Sequence, residues 1–191
     1  LKLVSRKPSD VIFSINNTLM LLYAFSTADK RTLEMHASVV VREGKGYLFL
    51  GKSGTGKSTH SRQWMKAFPD VWLLNDDNPI IRFYPAHADE QAKAIVYGSP
   101  WSGKTPCYKN EQAPIGGIVK LTQAPYNKAN ALRLPEAYAF VLTSASGLKI
   151  IPEAMDALYE TISQMIMVVP MYGLECLPDT AAAECCYEAL S

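Results

Sequence analysis

Tyr47-Leu48-Phe49-Leu50-Gly51-Lys52-Ser53-Gly54-Thr55-Gly56-Lys57-Ser58 is an apolar run that breaks into glycines and ends on Lys-Ser. From Gly51 onward it matches the phosphate-binding P-loop, G-x-x-x-x-G-K-[ST]. Glycines let successive backbone N–H groups turn inward around phosphate oxygens, where a Cβ would obstruct them. Lys57 can reach the outer phosphates as a flexible point charge, and the Ser58 hydroxyl can ligate Mg²⁺. A helix starting here aims its positive end at the same anion.

The flanks agree with that reading. Tyr47–Leu50 reads as a buried strand. Beyond Ser58, residues Ser61, Trp64, Met65 and Phe68 recur at i, i+3, i+4, i+7 on one helical face. Pro69-Asp70 stops the helix, and Val71-Trp72-Leu73-Leu74 reads as the next strand. Tyr47 to Asp77 thus spans about the 30 residues of a βαβ unit. Nucleotide binding is expected at Gly51, Lys52, Ser53, Gly54, Thr55, Gly56, Lys57, Ser58 and Thr59.

The 191 residues suit a single domain, 48% hydrophobic and large enough for a continuous core. A net charge of +1, with Lys and Arg scattered singly, gives no electrostatic reason to expect nucleic acid or a membrane surface. No apolar stretch reads as the roughly 18 residues of a membrane span, since Met165–Met171 is short and holds Pro170. No signal peptide is visible. Cys107, Cys176 and the adjacent Cys185-Cys186 form neither a disulfide framework nor a metal spacing, which fits a reducing cytoplasm.

The region 1–46 reads as β-rich. Val11–Ile15 and Leu19–Phe25 flank Asn16-Asn17, a turn signal, and suggest a hairpin. Leu33–Val41 is a further strand, turned by Glu43–Gly46 into the P-loop strand. Short strands follow at Ile80–Tyr84 and Lys93–Tyr97 within a core of 47–84 and beyond. Gly98–Pro106 is loop, and Ile115–Leu121 resumes a strand. The region 135–191 is mainly helical, with Pro135 and Pro152 at helix starts and a face of Met155, Leu158, Ile162, Met165 and Ile166. Val168–Cys176 reads as a strand, and Asp179 caps a last helix. The fold class is therefore α/β, a mixed twisted sheet with a P-loop and flanking helices.

Asn75-Asp76-Asp77 ends the strand after the P-loop helix, the position that α/β sheets place beside the phosphate loop. One carboxylate there can hold Mg²⁺ and the other can accept a proton from an attacking hydroxyl. The same residues also suit a plain turn. His36, near the start of the strand that pairs with Tyr47–Leu50, is either structural or part of the site. His60 and His87 have no evident role.

Met35-His36-Ala37, the loop Ser53-Gly54-Thr55-Gly56-Lys57-Ser58 and Leu74-Asn75-Asp76-Asp77 occur in one order. Together they resemble the catalytic domain of HPr kinase/phosphorylase and its relatives, which share a fold with ATP-dependent phosphoenolpyruvate carboxykinases. The resemblance covers roughly Leu33 to Phe83. It implies an HPr-kinase-like, carboxykinase-like fold with a P-loop in a mixed twisted β-structure, ATP and Mg as cofactors, and a homo-oligomer. It makes Lys57 the γ-phosphate ligand and Ser58 a metal ligand. Asp77 becomes the foremost general base, Asp76 a metal or metal-water ligand, and His36 a neighbour of the transferred phosphate, with Asp76 and Asp77 treated as a pair. The chain departs from true HPr kinases at Thr59, where they carry Glu, and lacks their arginine-rich C-terminal signature. Tyr97-Gly98-Ser99-Pro100-Trp101-Ser102-Gly103-Lys104 instead resembles a segment of small HPr-kinase-related bacterial proteins. That loop could close over phosphates or hold an acceptor, or Trp101 could simply anchor it. Glu111 is a further metal-ligand candidate on proximity alone.

The expectation is an ATP/Mg-dependent phosphotransferase, cytoplasmic, acting on a serine-like hydroxyl of a small molecule or peptide. The alternative is a non-catalytic nucleotide sensor. Acceptor-stimulated ATP turnover separates the two.

Overall fold

The computed structural model describes residues 7–103, 105–146 and 152–191. Lys104 of the glycine-rich loop lies outside them. The core of the molecule is a curled, mixed sheet in the order β1-β5-β6-β7-β3-β2-β4, with β9 pairing β7 and β8. Its strands are β1 (Thr32–Glu34), β2 (Ala37–Arg42), β3 (Lys45–Leu50), β4 (Trp72–Asp77), β5 (Ile80–Tyr84), β6 (Lys93–Tyr97), β7 (Gln112–Gln123), β8 (Lys128–Ala131) and β9 (Met171–Cys176).

The predicted β-α-β passage is present as β3, helix α2 (Lys57–Ala67) and β4. The two strands are not neighbours. Antiparallel β2 lies between them, paired with β3 through the turn at Glu43-Gly44 and with β4 on its other edge. β3 runs parallel to β7, and β7 parallel to β9. β7 is the long spine that changes partners, meeting β6 near Ala113 and β9 from Ile118 onward.

Alternation explains why both faces are covered. Val39, Val41, Leu48, Leu50 and Ile118 belong to one buried cluster, with helices α3 (Leu134–Ser144) and α4 (Pro152–Met165) against it through Val141 and Ile162. Val40, Tyr47, Phe49, Val119 and Leu174 belong to the other, covered by α2 and helix α5 (Thr180–Leu190). A sheet buried on both sides gives unbroken apolar runs such as Val39-Val40-Val41. Trp64 of α2 is fully buried and touches Tyr47, Phe49, Phe68 and Tyr187. Asp179 caps α5, its carboxylate accepting from Ala182 N at 2.9 Å.

The hairpin expected at 11–25 is not formed. Those residues are one helix, α1 (Pro8–Thr27), running into a 3₁₀ turn at Ala28–Lys30, so the first part of the chain is β only from Thr32. Pro8 and Asp10 suit a helix start. Ser14, Thr18, Ser26 and Thr27 donate to carbonyls four residues back, so the polar residues are absorbed within the helix. Reading Asn16-Asn17 as a turn divided the segment; undivided, Pro8–Lys30 has a mean hydropathy of 1.4 and is long and apolar enough to cross a membrane by length and composition. Little of it is covered: Ile12 is 61% and Phe13 68% exposed. β8, in Lys-Ala-Asn-Ala, also went unforeseen.

Candidate functional site

The strand read at Leu33–Val41 divides at Met35-His36, and this places the first residue of the site. β1 pairs with β5, whereas β2 turns to β3 and β4. His36 stands in the gap, its backbone N donating to Ser144 O at 2.8 Å. β4 runs on beyond Leu74, so Asn75, Asp76 and Asp77 remain in the sheet. Asp76 lies opposite Ser38 and Asp77 opposite Ala37.

Between β3 and α2 the chain turns through Gly54 and Gly56 at φ of +82° and +108°, conformations that L side chains rarely adopt. Gly56 is the N-cap and Lys57 the first helical residue. The Lys57 ammonium donates to Gly51 O at 3.0 Å, and Thr55 Oγ1 donates to Lys52 O at 2.7 Å. Gln123, from the end of β7, donates to the carbonyls of Gly54 and Thr55 at 3.4 and 3.3 Å.

His36, Lys57, Ser58, Asp76, Asp77 and Thr105 line a single cavity of about 470 Å³. Asp76 is only 7% exposed and accepts from Thr105 Oγ1 at 2.5 Å. Asp77 Oδ1 lies 3.7 Å from His36 Nε2. Gly103 is tight against this pair: at φ +53°, a Cβ there would come within 3.0 Å of the Asp77 carboxylate. Ser58, Asp76 and Asp77 offer hard oxygen donors, which suits Mg²⁺ held by one or two carboxylates together with phosphate oxygens. Among the described residues no three His, Cys, Asp or Glu side chains form a metal cage.

Burial lowers the pKa of Lys57, opposed by Asp77 and Asp76. Burial and the Lys57 charge lower that of His36, opposed by Asp77, so His36 is a neutral imidazole at pH 7. His60 is driven down to about 4 by burial and accepts from Trp64 Nε1 at 3.0 Å, a structural role. Glu34, 1% exposed, is pushed up to about 7 by burial; a hydrogen bond from Ser146 opposes this and the Asp77 charge adds to it.

Two further cavities meet this one at Gly54. A cleft of about 1010 Å³ runs past Lys52 and Ser53 to Lys120, Phe140 and Thr143. Another, of about 390 Å³, opens beyond Thr59 between Leu121, Ala124, Leu177 and Pro178.

The structure therefore gathers His36, Lys57, Ser58, Asp76 and Asp77 in one place, with Gly51, Lys52 and Thr55 along the adjoining cleft. Glu111 is not gathered; it is exposed at the foot of β7, where its carbonyl accepts from Gly98 N. Trp101 does not line the cavity with Asp76 and Asp77; its ring lies 5.8 Å from that of Tyr23 and its carbonyl accepts from Asn78 N. Three neighbours were missed. Arg62 lies one helical turn past Ser58, donates to Thr59 Oγ1 at 3.2 Å and lines the same cavity. Helical spacing could have revealed it. Glu34 shares the strand parity of His36, a weaker signal. Thr105 arrives from a loop that carries no periodic signal.

No protein-family model matches the chain, and no curated protein matches it.

Proposed function

We propose that the chain is an HPr-kinase-like P-loop phosphotransferase that moves the γ-phosphoryl group of ATP, with Mg²⁺, to a serine-like hydroxyl. The observation that carries this is the convergence of the P-loop Lys57 and Ser58 with the Asp76–Asp77 pair and neutral His36 around one cavity. A pure phosphate binder has no need of carboxylates beside the anion, whereas a kinase needs a metal ligand and a base there. The carboxykinase-like arrangement of the curled mixed sheet belongs to the same proposal.

Within it, the amides of Ser53 to Lys57 and the Lys57 ammonium bind and orient the phosphates. Ser58 and Asp76 hold Mg²⁺, which supplies charge neutralisation on the phosphate oxygens when bound. Thr105 fixes the Asp76 carboxylate by its hydrogen bond. Asp77 accepts the hydroxyl proton as the acceptor oxygen bonds to the γ-phosphorus, and the β–γ bridging oxygen leaves with its electron pair on ADP. His36 lies beside Asp77, 3.7 Å away, and adds no charge of its own at pH 7. Arg62 faces the transferred group with a second fixed cation.

The test is a pair of variants. Lys57→Ala should weaken ATP binding at least about tenfold, while Asp77→Asn should keep ATP affinity within about threefold and abolish transfer of labelled phosphate to serine peptides. Unchanged ATP affinity in Lys57→Ala contradicts the site assignment. Loss of binding in Asp77→Asn makes Asp77 a metal ligand instead. Tight ATP binding by the native chain without transfer identifies a sensor.

A further inference from the structure

A further cavity, of about 500 Å³, lies away from the Gly51–Ser58 loop, between the end of α1 and the strands β5 and β6. Its volume falls within the range of small-molecule sites, roughly 300–1,000 Å³. Tyr23 and Trp101 form one wall, their rings 5.8 Å apart and tilted by 54°. Tyr97 also lines it, its hydroxyl tied to that of Tyr84 at 2.9 Å. The charged side chains in the lining, Lys30 and Arg82, are both cationic.

Among the described residues neither cation has an acidic partner. The ion pairs among the described residues involve His36, Arg42, Lys93 and Arg133 only. Arg82 instead sits over the Tyr84 ring at 5.2 Å, which orients its guanidinium without supplying a counter-charge. Arg82 projects from the middle of β5, held between β1 and β6, so its base is rigid. An aromatic wall with two unpaired cations at its edge suits a ligand with a flat apolar body and one anionic group.

We propose that this cavity binds a small aromatic or similarly flat anion, its carboxylate held by Arg82 and Lys30 and its ring against Tyr23 and Trp101. Arg82 presents a planar fork to a carboxylate, which it can grip in bidentate fashion. Ser99 of the lining donates to Asn78 O at 2.7 Å and accepts from Asn75, two residues from Asp77. The inference does not depend on the phosphotransferase reading.

The test uses 2-naphthoate and its neutral counterpart 2-naphthamide, titrated by ligand-observed NMR. The naphthoate should bind the native chain and the Lys57→Ala chain alike. The amide should bind about tenfold more weakly, as should naphthoate to an Arg82→Gln/Lys30→Gln chain whose melting temperature is unchanged; each single substitution should give an intermediate loss. Equal affinity for the amide, unchanged binding in the double variant, loss in Lys57→Ala, or no saturation below about 10 mM would each overturn the proposal.

Discussion

Glu34 is the residue whose environment is most at odds with its chemistry. Its carboxyl is buried, Oε1 accepts from Ser146 Oγ at 3.4 Å, and Oε2 has no hydrogen-bond partner among the described residues. Burial, reinforced by the Asp77 charge, pushes its pKa from 4.5 up to about 7. A raised carboxyl pKa means that the folded chain holds a proton the unfolded chain has released between those two values. Stability therefore falls as pH rises from 4.5 to 7, and the loss is complete above 7. Glu34→Gln keeps the shape and removes the titration. It should melt within about 2 °C of the native chain at pH 4.5 and several degrees higher at pH 8, read by thermal unfolding across that range. An equal shift at both pH values would contradict a neutral Glu34. This residue was hidden in the sequence because nothing in Thr-Leu-Glu-Met-His says that the strand breaks there; that Lys57, Ser58, Asp76 and Asp77 come together was readable because the motif and the strand after its helix set them beside one loop.

At the scale of elements, what was legible had a period and what was missed had an ambiguous one. β3, α2, β4, β5 and β6 could be read from short apolar runs bounded by turn residues. The β2 strand between β3 and β4 follows from the Glu43-Gly44 turn. α1 was read as a hairpin because Val11-Ile12-Phe13 and Leu19–Phe25 favour strands locally and Asn16-Asn17 favours a turn, and such preferences are weak against a continuous helix. The covered part of α1 is its end, where Ala24 is buried and Tyr23 meets Trp101. Replacing Ile12, Phe13 and Ile15 by Gln should therefore shift the melting temperature by no more than about 3 °C, because little apolar surface is buried there. A fall of about 10 °C would mean that the first half of α1 is held by interactions absent from this structure. Trp64 sets the contrast, since truncating so buried a ring typically costs about 3–5 kcal/mol.

At the scale of the molecule, the Gly51–Ser58 loop stands where three cavities meet, the kind of junction that the proposed two-substrate reaction would need. The cavity with Asp76 and Asp77 takes the phosphates in the proposed reading. The apolar walls at Leu121, Ala124, Leu177 and Pro178 suit a nucleoside, and the larger cleft past Lys120 and Phe140 shares His36 with the reacting end and suits the acceptor. Plugging each arm separates the two ligands. Ala124→Trp should weaken ATP binding about tenfold or more. Ala139→Trp, on the exposed side of α3, should leave ATP affinity within about twofold while removing phosphate transfer to serine peptides. Calorimetry with ATP and Mg²⁺ reads the first quantity, and labelled transfer reads the second. If Ala139→Trp loses ATP and Ala124→Trp keeps it, the nucleoside lies in the larger cleft, and the acceptor must reach Asp77 from the side of Gly103 and Thr105.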